Sequence, residues 1–353
     1  MLLNFYLNCN SNLTQSLANL LINRTLKSIG NSKLIGALSS RTRHLSSAAT
    51  ADQPTSDGPS SLFIFSSDGK EDKSNRNAQD DSIYVKSPSS SSSKREAASS
   101  VTMPMSFMRG SIVGKRFYSQ VTTRPADDGN GWTVMLDYRT LKTPSNRPLK
   151  LPTLALAKAI AAEWEYQETD GIRPFTMPLM KHACTALERV PLTRPKVIDY
   201  LMKKFNQDLV FCRAPNDNDI TSVVHDRQVE KMDPLLDWVT SEFGFKPAVY
   251  SSFFGGKQED GLTKAIETLL KQTDDCELAA IDAIASSAHS LIIAIGIYCG
   301  KLQIGEAIEL IRLEEDIQVD RWGLVEGGHD VDAADLRVQI SSATVFLGLS
   351  RST

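Results

Sequence analysis

Cysteine is scarce and unpaired in this chain. Cys9, Cys184, Cys212, Cys276 and Cys299 are odd in number, far apart, and form no Cys-x-x-Cys. That excludes a zinc ribbon and a disulfide framework, and fits a reducing or neutral compartment better than secretion. A charge excess is also missing: 39 basic against 42 acidic side chains leave −3, without the basic face a general nucleic-acid binder needs. Phosphate-cradling loops are absent. No Gly-x-Gly-x-x-Gly follows a strand pattern. Gly255-Gly256-Lys257 lacks the first glycine of a P-loop and runs into Gln258-Glu259-Asp260, so it reads as a turn. There is no Gly-x-Ser-x-Gly, and neither nucleotide nor other cofactor is expected.

Histidine is limited to His44, His182, His225, His289 and His329. His225-Asp226 and His329-Asp330 resemble the paired ligands of metal phosphohydrolases, but the remaining ligands are missing. Glu326-x-x-His329 has the spacing of di-iron bundles, yet Gly327-Gly328 between them disfavours a helix. No metal is expected. A membrane span is lacking as well. Ala283 to Gly300 carries no Lys, Arg, Asp or Glu, but Ser286, Ser287, His289 and Ser290 make its first half polar. It reads as a buried core helix, with no stable membrane insertion. No internal repeat occurs at a fixed period.

Acids are absent before Asp52, whereas Arg24, Lys27, Lys33, Arg41 and Arg43 are spaced among Leu17, Leu20, Leu21 and many serines. This is the composition of an organelle transit peptide, assigned to residues 1–50. Residues 51–112 read as a disordered serine-rich linker around Ser87-Pro-Ser-Ser-Ser-Ser-Ser93, interrupted by the apolar run Ser61-Leu-Phe-Ile-Phe65.

The rest reads as an α+β fold: a small N-terminal β-rich α+β domain (113–190), then a C-terminal orthogonal helical bundle (191–353). Trp132, Val134 and Leu136 alternate with Thr133, Met135 and Asp137, the period of a half-buried strand. Asp137-Tyr-Arg-Thr140 breaks it, and Leu141-Lys-Thr-Pro144 closes a hairpin. Thr153 caps a helix whose stripe is Leu156, Ile160 and Trp164, ending at Gly171. A second helix is expected over Pro178 to Val190. Beyond Pro191 the pattern predicts helices near Pro195–Gln207, Ser222–Phe243, Gly261–Gln272, Glu277–Cys299, Ile304–Arg321 and Asp332–Leu349. Short β-like pieces lie at Asp208–Cys212 and Ala248–Ser251. The last helix is apolar on two sides, Leu336/Ile340/Ala343/Leu347 and Val338/Val345/Leu349, so burial is expected. Cys184 and Cys212 read as small buried hydrophobes, His289 as a core or helix-edge residue, and Trp164 and Trp238 as core.

The densest chemistry lies in Arg312-Leu-Glu-Glu-Asp-Ile-Gln-Val-Asp-Arg-Trp-Gly-Leu-Val-Glu-Gly-Gly-His-Asp330: six carboxylates, two arginines, a tryptophan and a histidine in nineteen residues. Arg312 reaches Glu315 and Asp316 at helical spacing, pairs worth only about 0.2–0.5 kcal/mol each. A solvated charged face explains much of this. Against it, Asp316 and Asp320 repel at i,i+4, and Glu315 on an apolar stripe needs a partner if buried. Trp322 is either core or an interface anchor.

A second block precedes it: Lys115-Arg-Phe-Tyr118, Trp132-Thr-Val-Met-Leu-Asp137, Leu141-Lys-Thr-Pro144, Leu151-Pro-Thr153, Glu163-Trp164, Gln167 and Met177-Pro-Leu-Met180. In order and spacing the two blocks resemble the mitochondrial chaperones of the ATP synthase assembly factor 2 type, from Lys115 to the end. Tyr138 and Glu188 depart from the family, where a turn glycine and an aspartate are common. The resemblance implies a mitochondrial matrix chaperone, not an enzyme, that binds the unassembled alpha subunit of the ATP synthase catalytic F(1) sector until the beta subunit replaces it. It places partner binding in the C-terminal block, at Glu314, Glu315, Asp316, Asp320, Trp322, Glu326, His329 and Asp330. The rival readings are a metal-dependent phosphohydrolase using His225 and His329, and a general helical adaptor.

Overall fold

The computed structural model describes residues 84–86, 100–217, 219–251 and 256–351, with backbone alone for 84–86, 219 and 220. The leader, the Ser61–Phe65 run, most of the serine-rich segment, Cys9, His44 and Gly255 lie outside the described residues. Among the described residues the strands are β1 Tyr84–Lys86, β2 Ser100–Thr102, β3 Val121–Pro125, β4 Trp132–Leu136 and β5 Arg139–Lys142. They form one sheet in the order β1-β2-β5-β4-β3, antiparallel except for the parallel β2–β5 pair.

The end of the expected linker is part of this fold. Val101, Met103 and Phe107 are fully buried, and the Phe107 ring stacks on Trp164 at 6.3 Å. The serine run dominates the local composition, but it stops short of this apolar stretch. Strand β4 also differs from its half-buried expectation. Thr133, Val134, Met135 and Leu136 are all buried, because β4 lies between β3 and β5 and is covered on both faces. The β4–β5 turn is only Asp137-Tyr138. Asp137 carries the positive φ of 55°, and its carboxylate accepts from the Ser119 and Gln120 amides at 2.9 Å. Tyr138 itself needs no glycine-like backbone, which is why it can replace one.

Helix α1, Leu154–Glu165, starts as expected at Thr153, whose hydroxyl accepts from the Leu156 amide at 3.1 Å. The same hydroxyl donates to the Leu349 carbonyl, tying the first helix to the last. Leu156, Ile160 and Trp164 are fully buried, and the helix stops at Glu165, short of Gly171.

The expected break between a helix ending at Val190 and another starting at Pro195 is absent. Helix α2 (Pro178–Cys184), a π turn (Thr185–Arg189) and α3 (Val190–Phe205) run on without interruption. Pro191 has no N–H for the Leu187 carbonyl four residues back. The Arg147 guanidinium takes that carbonyl at 3.1 Å, and the π turn absorbs the misfit. The division expected at 190/191 therefore falls inside a helix, and one continuous core runs across it.

The remaining helices are α4 Asp219–Phe243, α5 Asp260–Gln272, α6 Asp275–Ala288, α7 Leu291–Tyr298, α8 Ile304–Trp322 and α9 His329–Ser350. The helix expected over 277–299 is two. His289 adopts φ 51°, and Ser290 caps α7 by accepting from the Ile293 amide at 3.0 Å. His289 is thus an exposed helix-edge residue. Every residue of α7 is buried, as expected for a core helix. Among the described residues no helix is long and apolar enough to cross a membrane. The expected β-like pieces become a 3-10 turn, Leu209–Phe211, and a single parallel bridge between Cys212 and Tyr250. Cys184 is buried and Cys212 only half-buried. Trp238 sits at the core edge against Phe243. The observed architecture is the expected α+β class, a small sheet with helices followed by a helical region.

Helix α9 departs from its expectation. Ile340, Ala343, Phe346 and Leu347 are buried, but Val331 and Val338 are 57% and 54% exposed. Its fully buried residues all lie in its second half, although Leu336 packs against the core edge. In that half Ser342 and Phe346 face His182, whose imidazole lies 3.3 Å from the Ser342 hydroxyl. Burial, with a smaller contribution from Lys181, pushes the His182 imidazole down to about 4. The unfolded chain therefore binds a proton near pH 6.5 that the folded chain refuses until about 4. This contribution to stability is complete above 6.5 and is lost as pH falls, by about 3 kcal/mol at pH 4. Glu163 acts in the opposite sense: burial raises it to about 7, so its contribution is present below about 4.5 and lost as pH rises through 7. In His182→Phe the Glu163 effect is unchanged and cancels. The melting temperature of the wild type should fall more steeply than that of the variant between pH 7 and pH 4.5. Parallel melting curves would remove His182 from the account.

Candidate partner-binding surface

All the buried residues of helix α8 lie in its first half. A capping box of Gln303 and Glu306 starts it, and Ala307, Ile308, Leu310 and Leu313 are buried. No residue between Glu314 and Gln339 is buried. The second half of α8, the turn 323–328 and the first half of α9 thus form an exposed helical hairpin. Residues 314–335 hold eight acids and one base, Arg321, for a formal charge of −7 with His329 neutral.

All eight residues singled out from the sequence lie on this hairpin, in unlike settings. Glu314 is half of an anchor. It accepts from the Gln228 amide group at 2.6 Å, and the buried Gln228 in turn accepts from the Ala214 backbone at 2.7 Å. Arg312 clamps Glu315 at 2.9 Å and Asp316 at 3.0 Å, which supplies the partner Glu315 needs. Asp320, Glu326 and Asp330 make no ion pair or side-chain hydrogen bond among the described residues. Trp322 is 65% exposed, so it is not core. Beside it Leu324 and Val325 are 55% and 61% exposed.

The turn is built by its glycines. Gly323 ends α8 at φ 90°, and Gly327 takes φ 76°, values that favour glycine. The Gly328 and His329 amides donate to the Val325 carbonyl at 3.2 Å. The Val325 amide donates to Nδ1 of His329 at 3.3 Å. Glu326 and His329 are separated by this turn and share no helical face. His225 is occupied by the Ala214 carbonyl at 2.8 Å. Among the described residues no three His, Cys, Asp or Glu side chains are grouped to hold a metal.

Sequence reasoning missed two parts of this surface. The Gln228 anchor joins residues far apart in the chain and leaves no local pattern. The apolar pair Leu324-Val325 between Gly323 and Gly327 did carry a signal, since apolar residues in a glycine-bounded turn have little to pack against. Glu314→Ala leaves the buried Gln228 amide without its acceptor and should cost about 1–3 kcal/mol. Chemical denaturation checks it; a loss under 0.5 kcal/mol would make the bond dispensable.

The motif residues near Glu163 serve packing. The Glu163 carboxylate accepts from the Leu179 and Met180 amides at 2.7 and 2.8 Å, capping α2. Gln167 bonds the Glu163 carbonyl and the Thr176 hydroxyl at 2.9 Å, and Trp164 is fully buried. A depression of about 370 Å³ beside them is lined by Ala159, Ala162, Tyr166 and Arg173 among others.

Comparison with known proteins bears on the family of the chain. Residues 115–240 match the family model of the ATP12 chaperone protein. Protein atp12, mitochondrial, of Schizosaccharomyces pombe is 25% identical over 241 residues, 66% of this chain and 81% of that protein. Protein ATP12, mitochondrial, of Saccharomyces cerevisiae is 20% identical over 281 residues, 69% and 86% of the two chains. The crystal structure of Atp12 from Paracoccus denitrificans is 30% identical with a TM-score of 0.62, covering 67% of this chain and 99% of that one. A putative chaperone from Agrobacterium tumefaciens is 28% identical with a TM-score of 0.60, covering 67% and 85%. With that identity and fold over nearly the whole bacterial protein, and both sequence blocks in place, the chain belongs to the ATP12 chaperone family.

Proposed function

We propose that this chain is a mitochondrial matrix chaperone for ATP synthase assembly, holding the unassembled alpha subunit of the F(1) sector until the beta subunit displaces it. The observation that carries the reading is the exposed α8–α9 hairpin, charged −7 over residues 314–335 with Trp322 at its end, on a chain of the ATP12 chaperone family. An unassembled subunit exposes an obligate interface of about 2,000 Å² or more, apolar and prone to aggregate. A folded partner that covers part of it keeps the subunit soluble. The acidic hairpin steers and registers a basic region of the client, and no catalysis by the chaperone is involved. Release comes from the beta subunit competing for the same surface.

The basic, acid-free leader directs import and is removed, so the mature protein starts after Arg43. N-terminal sequencing of the mitochondrial protein checks this; a mature chain beginning at Met1 would refute it. The full precursor, tagged and expressed in mitochondria, should recover the alpha subunit on purification. Recovery of many unrelated proteins in equal yield would favour a general adaptor instead. Metal-dependent phosphatase activity would favour a hydrolase.

A further inference from the structure

We propose that the α8–α9 turn is a preformed apolar prong, shaped by His329, that enters an apolar groove rimmed by Lys and Arg on the client. This rests on the reading of the hairpin as the client site. Leu324 and Val325 stand at the tip with Trp322 and Val331 beside them, all more than half exposed. An exposed apolar cluster of this kind, rimmed by polar groups, marks an interaction site. Asp320, Glu326, Asp330 and Asp332 flank the tip in the chain, are exposed, and make no ion pair among the described residues. A groove that buries the tip must therefore meet a net excess of acid, with Arg321 the one base in residues 314–335, which a basic rim satisfies and an acidic one opposes.

The tip is held by one side chain. The turn 323–328 has two glycines at positive φ, and such a loop samples many shapes unless it is pinned. Nδ1 of His329 accepts from the Val325 amide, while the His329 amide returns a bond to the Val325 carbonyl. The two bonds close Val325 onto the start of α9 and fix which way Leu324 and Val325 project. His329 is thus a positioning residue, not a client contact. A prong fixed before binding does not have to be ordered on binding, so less affinity is lost to entropy.

The test has two readouts on the full chain. Amide hydrogen exchange at Val325 needs no client. It should quicken about fivefold or more in His329→Ala and return to near wild type in His329→Asn, whose Oδ1 occupies the place of Nδ1. Binding to purified alpha subunit is the second readout. Leu324→Ser with Val325→Ser should weaken it about tenfold or more at unchanged melting temperature. His329→Ala should weaken it, and His329→Asn should restore it. Wild-type binding with no loss in the Leu324/Val325 variant overturns the prong while leaving the chaperone reading intact. Equal exchange in wild type and His329→Ala overturns the clamp. A wild-type chain that does not bind the alpha subunit sinks both readings of the hairpin.

Discussion

Reversing Asp320 and Glu326 to lysine should weaken alpha-subunit binding about tenfold or more, roughly 1.4 kcal/mol. The two changes bring the formal charge of residues 314–335 from −7 to −3. Neither carboxylate has an ion-pair partner among the described residues, and both are exposed, so stability should shift by no more than about 0.5 kcal/mol. Most of the loss should appear in the association rate and shrink at high salt, because the patch steers the encounter. The neighbouring acids are poorer probes. Glu314→Lys sets an ammonium against the buried Gln228 amide, and Glu315→Lys sets a second cation against Arg312. A binding loss at either position mixes folding with recognition. Stopped-flow association at two ionic strengths, alongside thermal melting, separates the effects. An unchanged association rate in the Asp320/Glu326 variant would show that the free acids do not face the client.

Arg351→Ala should destabilise the fold by about 3–5 kcal/mol. Arg351 and Glu277 are paired at 3.0 Å with side chains only 12% and 7% exposed. Arg351 also donates to the Tyr298 carbonyl at 3.2 Å and lies 4.4 Å over the Tyr298 ring. Glu277 meanwhile completes the capping box of α6 with Asp274. Removing the guanidinium leaves a buried carboxylate with no counter-charge, and the end of α9 loses its fastening to α6 and α7. Calorimetry should register a fall of roughly 10 °C. Combining Arg351→Met with Glu277→Gln should be milder than Arg351→Ala, since the glutamine keeps an acceptor for the Asp274 amide and removes the stranded charge. A loss under 1 kcal/mol in Arg351→Ala would mean that this end of α9 contributes little.

The elements legible in the sequence are those whose signals are local. Thr153 and the Leu156, Ile160, Trp164 stripe mark α1, and the charge-free stretch after Asp282 marks a core helix. The failures have physical causes. Pro191 reads as a helix end because its missing N–H is visible in the sequence, whereas the Arg147 side chain that satisfies Leu187 comes from a distant loop. His289 gives no sign of its left-handed backbone, since Ser290, which caps the next helix, is one serine among three between 286 and 290. Val101, Met103 and Phe107 were hidden behind a serine run that sets the composition of its window. On the hairpin, the acids could be read but only part of their pairing could. Arg312 lies within reach at i+3 and i+4, so its clamp was foreseeable. Gln228 is 86 positions from Glu314, and no spacing rule connects them.

The measurement that bears most directly on the account mixes purified full-length chain with purified alpha subunit and follows the mixture by size-exclusion chromatography, before and after beta subunit is added. A discrete complex of the two should keep the alpha subunit soluble, and this chain should be released as the beta subunit enters. Alpha subunit that aggregates equally with and without the chain, or a complex that the beta subunit joins without displacing it, would contradict it.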